Sequence, residues 1–257
     1  SITVTDKLSV ADITKVVNKT NANSTVKYSL TDNLGELLFT TSPAIVNGGA
    51  SGGRTFNVTS IDVTSSVTLA QALVVRTMGQ NGGATDATYT YSITDVAANI
   101  GKAPNALETA ALTNATTIQL SANQTATVAQ AGYISELSNF TGGYPIKDTA
   151  AEIYAAYNAK NVANAKDRNT ITSAKSVSLN DNETATVLEV LGNQALVSDE
   201  LETRGIHEIS GLTFSISDSA ANIAAGAIRS DKSNLLKATS VALNATAPTN
   251  PITVKEH

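Results

Sequence analysis

One acidic side chain recurs at the same place in a short phrase that the 257-residue chain carries four times. The phrase reads YSLTD, YSITD, YPIKD and FSISD, and it ends in turn on Asp32, Asp95, Asp148 and Asp218. Carboxylate oxygens are preferred ligands of Ca²⁺. These four aspartates, with Asp181 in the acidic stretch LNDNET, are therefore candidate calcium ligands, and calcium is the one candidate cofactor.

The same four aspartates also suit a structural role. Each stands where a strand-like pattern stops and Ala-rich helical text begins, as in VAANIGKA, TAAEIYAAYNA and SAANIAAGAI. Asp accepts hydrogen bonds from the free N–H groups of a first helical turn, and its charge suits the positive end of the helix dipole. Because no copy has DxDxDG-like partners, the sequence favours a helix N-cap over a calcium site.

Residue types for nucleophilic catalysis are scarce. The chain has no Cys and two histidines, His207 and His257, and its one G-x-S-x-G match, GASGG at residues 49–53, lies in a Gly-rich stretch and lacks the strand–turn–helix pattern of a nucleophile elbow. A Ser/His/Asp triad or a histidine zinc site therefore has little to be built from. The sequence predicts no enzyme and no catalytic residue.

An aromatic residue opens each copy of the phrase, and we expect it to pack between neighbouring copies of the repeat. One copy carries two further tyrosines, so Tyr144, Tyr154 and Tyr157 form the candidate platform for a sugar ligand. The four opening residues are Tyr28, Tyr91, Tyr144 and Phe214.

The elements that position these residues form a repeat. Strand-like alternation in ITVTD, IDVTS, IQLSA and VSLND is followed each time by a helical pattern. The residues Val10, Leu69, Val128 and Val187 open these helical patterns at a constant spacing of 59. A hydroxyl residue suited to N-capping precedes each one: Ser9, Thr68, Thr127 and Thr186.

Each repeat is therefore predicted to consist of a strand, a helix, a second strand and a second helix. Such alternation favours right-handed crossovers and largely parallel strands, and a fixed period favours units stacked side by side. We predict an elongated α/β array of about four repeats, at residues 1–59, 60–116, 117–175 and 176–240, with a partial fifth at 241–257. A compact doubly wound domain is the alternative.

The composition narrows the classes of partner that the chain is expected to bind. Charged residues make up 15% of the chain, and the formal net charge of −5 comes without a Lys/Arg cluster, which gives no electrostatic footprint for nucleic acid. No apolar run reaches the roughly 18 residues of a membrane span. Two Gly-rich stretches, residues 42–55 and 78–88, are predicted to be exposed excursions.

The repeated residues resemble those of a known kind of protein. YSITDVAANI, KDTAAEI and FSISDSAANIAAG, with ATVAQA and LSVAD, are similar to the D-[ST]-A-A-N-[IL]-A and L-[ST]-V-A-[QD]-A repeats of very large exported bacterial proteins of the adhesin or surface-layer kind. The resemblance covers nearly the whole chain. It implies an extracellular, cell-surface location, a structural or adhesive role, and often calcium-dependent secretion or assembly, although the chain lacks the GGxGxDxxx nonapeptide of calcium-rich relatives.

Two functional hypotheses follow. The first is a non-enzymatic stalk, surface array or filament component whose partners are neighbouring copies or repeats of the same surface protein. The second is a module that binds a glycan or receptor through residues 42–55 and 78–88, because insertions in repeat proteins often carry the binding face.

Overall fold

The computed structural model describes residues 1–39, 43–78, 87–158, 170–171, 173–180, 183–190, 214–228 and 238–244. The helices are α1 Val10–Asn18, α2 Leu34–Leu38, α3 Pro43–Asn47, α4 Leu69–Val75, α5 Ala97–Ile100, α6 Ala106–Asn114, α7 Val128–Ile134, α8 Ala150–Asn158 and α9 Ala220–Ala227. A further helix begins at Val187, and residues 187–190 of it are described. The strands are β1 Ile2–Leu8, β2 Thr25–Asp32, β3 Gly49–Ser51, β4 Arg54–Val63, β5 Thr88–Thr90, β6 Ile93–Asp95, β7 Ile118–Leu120, β8 Pro145–Asp148, β9 Ser176–Leu179, β10 Glu183–Ala185, β11 Phe214–Asp218 and β12 Ser240–Leu243. The fold is mixed α/β, as the alternating patterns predict.

Most strands are parallel and lie in several small sheets. The largest has the order β1-β2-β4-β3 with β5 on β4, and the others are β6-β7, β8-β9 and β10-β11-β12. Within the described residues the antiparallel pair is β3 with β4. Parallel neighbours need a crossover between them, and the helices supply it.

The chain forms two compact units. The first comprises residues 1–122 with 136–142, and the second comprises residues 123–135 with 143–257. In each unit the core is mainly aliphatic and lies along the strands, with side chains such as Leu30, Ile93, Ile146 and Ile216 exposing no more than 3% of their surface.

Strand register reveals four copies of one motif, which we call modules. In each, a central strand that ends in the repeated aspartate pairs in parallel on both sides. The residues that align across the three chains are Leu8, Leu30 and Ile61 in module 1; Val67, Ile93 and Ile118 in module 2; Ala126, Ile146 and Val177 in module 3; and Ala185, Ile216 and Val241 in module 4. Modules 1 and 2 lie in the first unit, and modules 3 and 4 lie in the second.

Consecutive modules share a stretch of chain. Ile61 pairs back to Leu30 of module 1, whereas Val67, six residues on, pairs forward to Ile93 of module 2. The stretches 118–126 and 177–185 divide their pairing in the same way. The strand that opens each predicted repeat after the first is thus hydrogen-bonded to the repeat before it. The division into four stacked repeats stays a prediction.

The predicted excursion at 42–55 is more ordered than the sequence indicates. Residues 43–47 are helical, and β3 and β4 form a hairpin through Gly52 and Gly53, which have positive φ of 58° and 72°. Ile45 and Val46 are each 2% exposed, so this segment packs into the core. Its tip, residues 50–53, is exposed.

Among the described residues, no helix has both the length and the apolar character needed to cross a bilayer.

Candidate functional site

The repeated aspartates lie at the carboxyl ends of the central strands, where a crossover brings a helix N-terminus close to them. Three of them are buried: Asp95 is 4% exposed, Asp148 is 8% and Asp218 is 5%. Asp32 at the same point in module 1 is half-buried. A buried carboxylate is costly unless hydrogen bonds compensate for its lost hydration, so its partners decide what it does.

One oxygen of each aspartate accepts a hydrogen bond from a distant helix. The first residue of the helix that precedes the central strand donates its backbone N–H to Oδ2, across 20 to 31 residues of sequence. The pairs are Val10 to Asp32 at 3.1 Å, Leu69 to Asp95 at 2.8 Å, Val128 to Asp148 at 2.8 Å and Val187 to Asp218 at 3.0 Å. These four donors are the residues that recur every 59 positions in the sequence. The period of the repeat therefore corresponds to the recurrence of this hydrogen bond.

The same helices carry a second cap from their own sequence. In module 2 the Thr68 hydroxyl accepts the N–H of Gln71 at 3.2 Å, and the Gln71 side chain accepts the N–H of Thr68 at 2.8 Å. This reciprocal pair is a capping box, and it recurs at Thr127 with Gln130 and at Thr186 with Glu189. The predicted N-caps of this helix type are confirmed, including Ser9, which accepts the N–H of Asp12 at 3.1 Å.

The other oxygen of each aspartate bonds to the residue that follows it. Oδ1 accepts the backbone N–H of the next residue at 2.7 to 2.9 Å in all four modules. That next residue, and not the aspartate, is the N-cap of the following helix where caps are described: Asn33, Val96 and Ser219. The predicted N-cap at the aspartate is therefore wrong by one residue, because Asp is still in the strand and joins two helix N-termini.

Two modules add a further donor. Asn99 and Asn222, four residues after the aspartate, donate their side-chain amides to Oδ1 at 2.8 and 2.9 Å. Modules 1 and 3 have Glu36 and Glu152 at that position, and a carboxylate offers no such donor. The phrase DxAAN thus marks the modules in which the carboxylate accepts an extra bond.

Hydrogen bonding keeps Asp218 charged. Burial alone raises the pKa of this carboxyl, but the amide of Asn222 and the backbone N–H groups of Ser219 and Val187 lower it, and the net effect is a pKa below the ordinary 3.8. Donors that favour the ionised form have outweighed desolvation. The charge also sits at helix N-termini, where the dipole favours an anion.

Hydrogen bonds account for the four repeated aspartates without a calcium ion. Each of the two oxygens of every carboxylate accepts a backbone N–H group. In the part of the chain that the structure describes, no three His, Cys, Asp or Glu side chains gather as a metal site. Asp181, the fifth candidate ligand, lies outside the described residues.

The three tyrosines among the opening aromatic residues donate hydrogen bonds within their own module. The hydroxyl of Tyr91 donates to the carbonyl of Ala111 at 2.8 Å, and that of Tyr144 donates to Thr170 at 3.0 Å. Tyr28 donates in the same manner to the carbonyl of Ile45. Each ring therefore ties the start of a central strand to the second half of the same module's crossover, a role that the sequence did not indicate.

One member of the candidate sugar platform, Tyr144, is buried. Tyr144 is only 5% exposed, so its ring faces the core. Tyr154 is half-buried on α8, and the side chain of Tyr157 lies outside the described residues. Three other predicted features also lie outside the described residues: His207, His257 and residues 79–86 of the second predicted excursion.

Comparison with known proteins gives no relative from which a role could be carried over: no family model, no curated protein and no solved structure matches the chain.

Proposed function

We propose that the chain is a non-enzymatic structural or adhesive segment of a bacterial surface or secreted protein, serving as a stalk, surface array or filament component. The observation that carries this proposal is the repeated aspartate, which accepts the same two backbone hydrogen bonds in all four modules. The best-preserved polar group of the repeat is thus committed to holding the fold together. A side chain with a catalytic or ligand-binding role would instead be expected in a single copy of the repeat.

The sharing of strands supports a continuous structure. Within the first unit, β4 is bonded to the central strand of module 1 through Ile61 and leads directly to Val67, which pairs in module 2. Separating modules 1 and 2 would break the backbone hydrogen bonds between β4 and β5, the strand that leads into the central strand of module 2. We propose that this linkage continues as an elongated array of about four repeats, since each repeat would then be stabilised by its neighbours.

Small-angle X-ray scattering tests the array. A compact globule of this length has a radius of gyration of about 18 Å. The proposal expects a clearly larger radius and a pair-distance distribution with a long tail and a constant cross-section. A symmetric distribution with a radius near that of a globule would contradict the array.

Antibody labelling tests the location. Antibodies raised against the purified chain should label intact cells of the source organism, and brief protease treatment of those cells should remove the signal. Labelling that requires permeabilised cells would contradict a surface role. An antibody against a cytosolic protein serves as the control for cell integrity.

One observation favours the second candidate function, binding of a glycan or receptor. The β3–β4 hairpin of module 1 presents an exposed tip at residues 50–53 above a packed base that includes Ile45 and Val46. Such a rigid projection suits recognition, since little ordering is needed on binding. Screening the natural chain and Ser51→Arg on a glycan array tests this function, because the substitution changes the tip and leaves the base intact. The function predicts glycan binding that the substitution weakens. Absence of binding, or binding that the substitution does not change, would count against it.

A further inference from the structure

The acceptor tripeptide of N-linked glycosylation, Asn-x-Ser/Thr, occurs at eight positions in the sequence. Its reaction uses two side chains: Nδ2 of the asparagine is the nucleophile, and the transferase recognises the hydroxyl two residues on. A folded chain therefore accepts a sugar where both groups are exposed and unbonded. Six tripeptides lie wholly within the described residues, and they begin at Asn18, Asn23, Asn57, Asn114, Asn123 and Asn139.

Two of the six have a hydroxyl that the fold already uses. In residues 18–20, the hydroxyl of Thr20 donates to a carbonyl of α1 at 2.8 Å and accepts an arginine Nε–H at 3.0 Å. In residues 57–59, the hydroxyl of Thr59 donates to the carbonyl of Tyr28 at 3.0 Å. Neither hydroxyl is available to a transferase while these bonds are formed.

Two more have an asparagine amide that the fold already uses. Nδ2 of Asn114 donates to the carbonyl of Ala110 at 2.8 Å. Nδ2 of Asn139 donates to the carbonyls of Leu112 and Ala115 at 2.8 and 2.6 Å. A sugar on Nδ2 replaces one of its two hydrogens, so modification of Asn139 would break one of these bonds.

The two remaining asparagines, Asn23 and Asn123, differ from these four. Both are exposed, and neither side chain has a hydrogen-bond partner among the described residues. The threonines two residues on, Thr25 and Thr125, are also exposed, and the described part of the chain holds no partner for their hydroxyls. Both groups that the reaction needs are therefore available at these two tripeptides.

The two asparagines also share a backbone conformation. Both lie in turns with positive φ, 67° at Asn23 and 62° at Asn123, and both follow alanine in the local sequence Ala-Asn-x-Thr. Asparagine enters this left-handed region more readily than most residues. The backbone N–H of Asn23 donates to the carbonyl of Gly53 at 2.7 Å, so the first turn is held by its backbone while the side-chain amide stays unused.

We infer that Asn23 and Asn123 are the acceptor sites for an N-linked sugar, which a transferase moves from a sugar diphosphate donor. Nδ2 attacks the anomeric carbon, and the new C–N bond forms as the C–O bond to the diphosphate breaks. The proton lost from Nδ2 passes to a base of the transferase, and the diphosphate ester leaves. A sugar at either turn breaks no described hydrogen bond. The inference goes beyond the proposed function, because a stalk and a binding module could equally carry it.

Mass spectrometry of the chain purified from its source organism tests both sites. Trypsin places the first site in the peptide of residues 20–27, since Lys19 and Lys27 precede its two cleavage points. This peptide should carry a sugar, and fragmentation of the peptide that contains Asn123 should place a sugar there and none at Asn139. An unmodified Asn23 or Asn123, or a sugar on Asn139, would overturn the inference.

Transfer to the purified chain identifies the donor and checks the role of the hydroxyl. The full-length unmodified chain is incubated with the membrane fraction of source cells, which supplies lipid-linked donors, or with the soluble fraction, which supplies nucleotide-linked donors. Thr25→Ala should lose the sugar at Asn23 and keep it at Asn123, whereas Thr25→Ser keeps a hydroxyl and should keep both sugars.

Three results of this transfer assay would overturn the inference: no transfer from either fraction, transfer to Asn23 that survives Thr25→Ala, or equal transfer to all six tripeptides. Labelling of intact cells by antibodies does not depend on the sugar, so this inference and the proposed function can fail separately.

Discussion

At the scale of residues, the repeated aspartate works as a clamp between two helix N-termini. Its Oδ2 accepts the first N–H of one helix, and its Oδ1 accepts the N–H of the cap residue of the next, as in Asp95 with Leu69 and Val96. Those N–H groups have no acceptor within their helices. Hydrogen bonds to a charged group contribute more than neutral ones, so this side chain should matter more to stability than its small size indicates.

Asp95→Asn should therefore be strongly destabilising. An amide of the same shape places an NH₂ group against one of the N–H donors and removes the charge from the helix ends, and we expect a loss of about 2–4 kcal/mol in the free energy of unfolding. Chemical denaturation measures it. Asp62→Asn is the control, because Asp62 forms a surface ion pair with Lys7 at 2.9 Å and should cost at most about 1 kcal/mol. Equal losses in the two variants would contradict the clamp.

Acid should weaken module 4 through Asp218. Since its pKa in the folded state is lowered from 3.8, the unfolded chain takes up this proton at a higher pH than the folded chain does. The stabilisation is therefore complete above about pH 5 and is lost as the pH falls below about 4. The measurement is the difference in unfolding free energy between the natural chain and Asp218→Asn as a function of pH. This difference should shrink as the pH falls below about 4. A difference that stays constant with pH would refute the prediction.

At the scale of elements, the sequence predicted the helix starts well because caps are local. Ser9, Thr68, Thr127 and Thr186 could be recognised, since each accepts a bond from three residues ahead. The partner of Asp148 could not be recognised, because Val128 is distant in sequence and only the crossover brings it near. The roles of the tyrosine hydroxyls and the packed base at Ile45 were missed for the same reason.

Removing one cap tests how much the local signal contributes. Thr127→Ala deletes the hydroxyl that accepts the N–H of Gln130 at 3.2 Å, and such losses cost about 1 kcal/mol. Thr127→Ser keeps the hydroxyl and should remain within about 0.5 kcal/mol of the natural chain. Thermal or urea unfolding separates the two variants. If serine were as costly as alanine, the effect would come from the methyl group and not from the cap.

At the scale of the whole molecule, periodicity predicted an α/β fold with parallel strands, and the strand pairing confirms this. The way modules share a stretch of chain could not be predicted, because nothing local in the sequence shows that Ile61 of the strand pattern IDVTS pairs with module 1 while Val67, six residues on, pairs with module 2. A repeat boundary drawn at residue 60 therefore cuts between hydrogen-bonded partners.

Calcium should leave stability unchanged if the aspartates act as clamps. An extracellular-type site with a Kd of about 10⁻⁴ M would add about 2.7 kcal/mol at 10 mM Ca²⁺. We expect no such gain in thermal melts with Ca²⁺ compared with EDTA, with Mg²⁺ at equal ionic strength as the control. A rise specific to Ca²⁺ would indicate a site elsewhere, with Asp181 the first residue to substitute.

Hydrogen exchange at four backbone amides tests the central claim most directly. Val10, Leu69, Val128 and Val187 are first residues of helices, whose N–H groups exchange readily unless something outside the helix accepts them. The clamp predicts that all four are protected in the ¹⁵N-labelled chain, and that Asp95→Ala removes protection at Leu69 while the amides of Val128 and Val187 keep theirs. Rapid exchange at all four in the natural chain, or protection of Leu69 that survives Asp95→Ala, would contradict the claim.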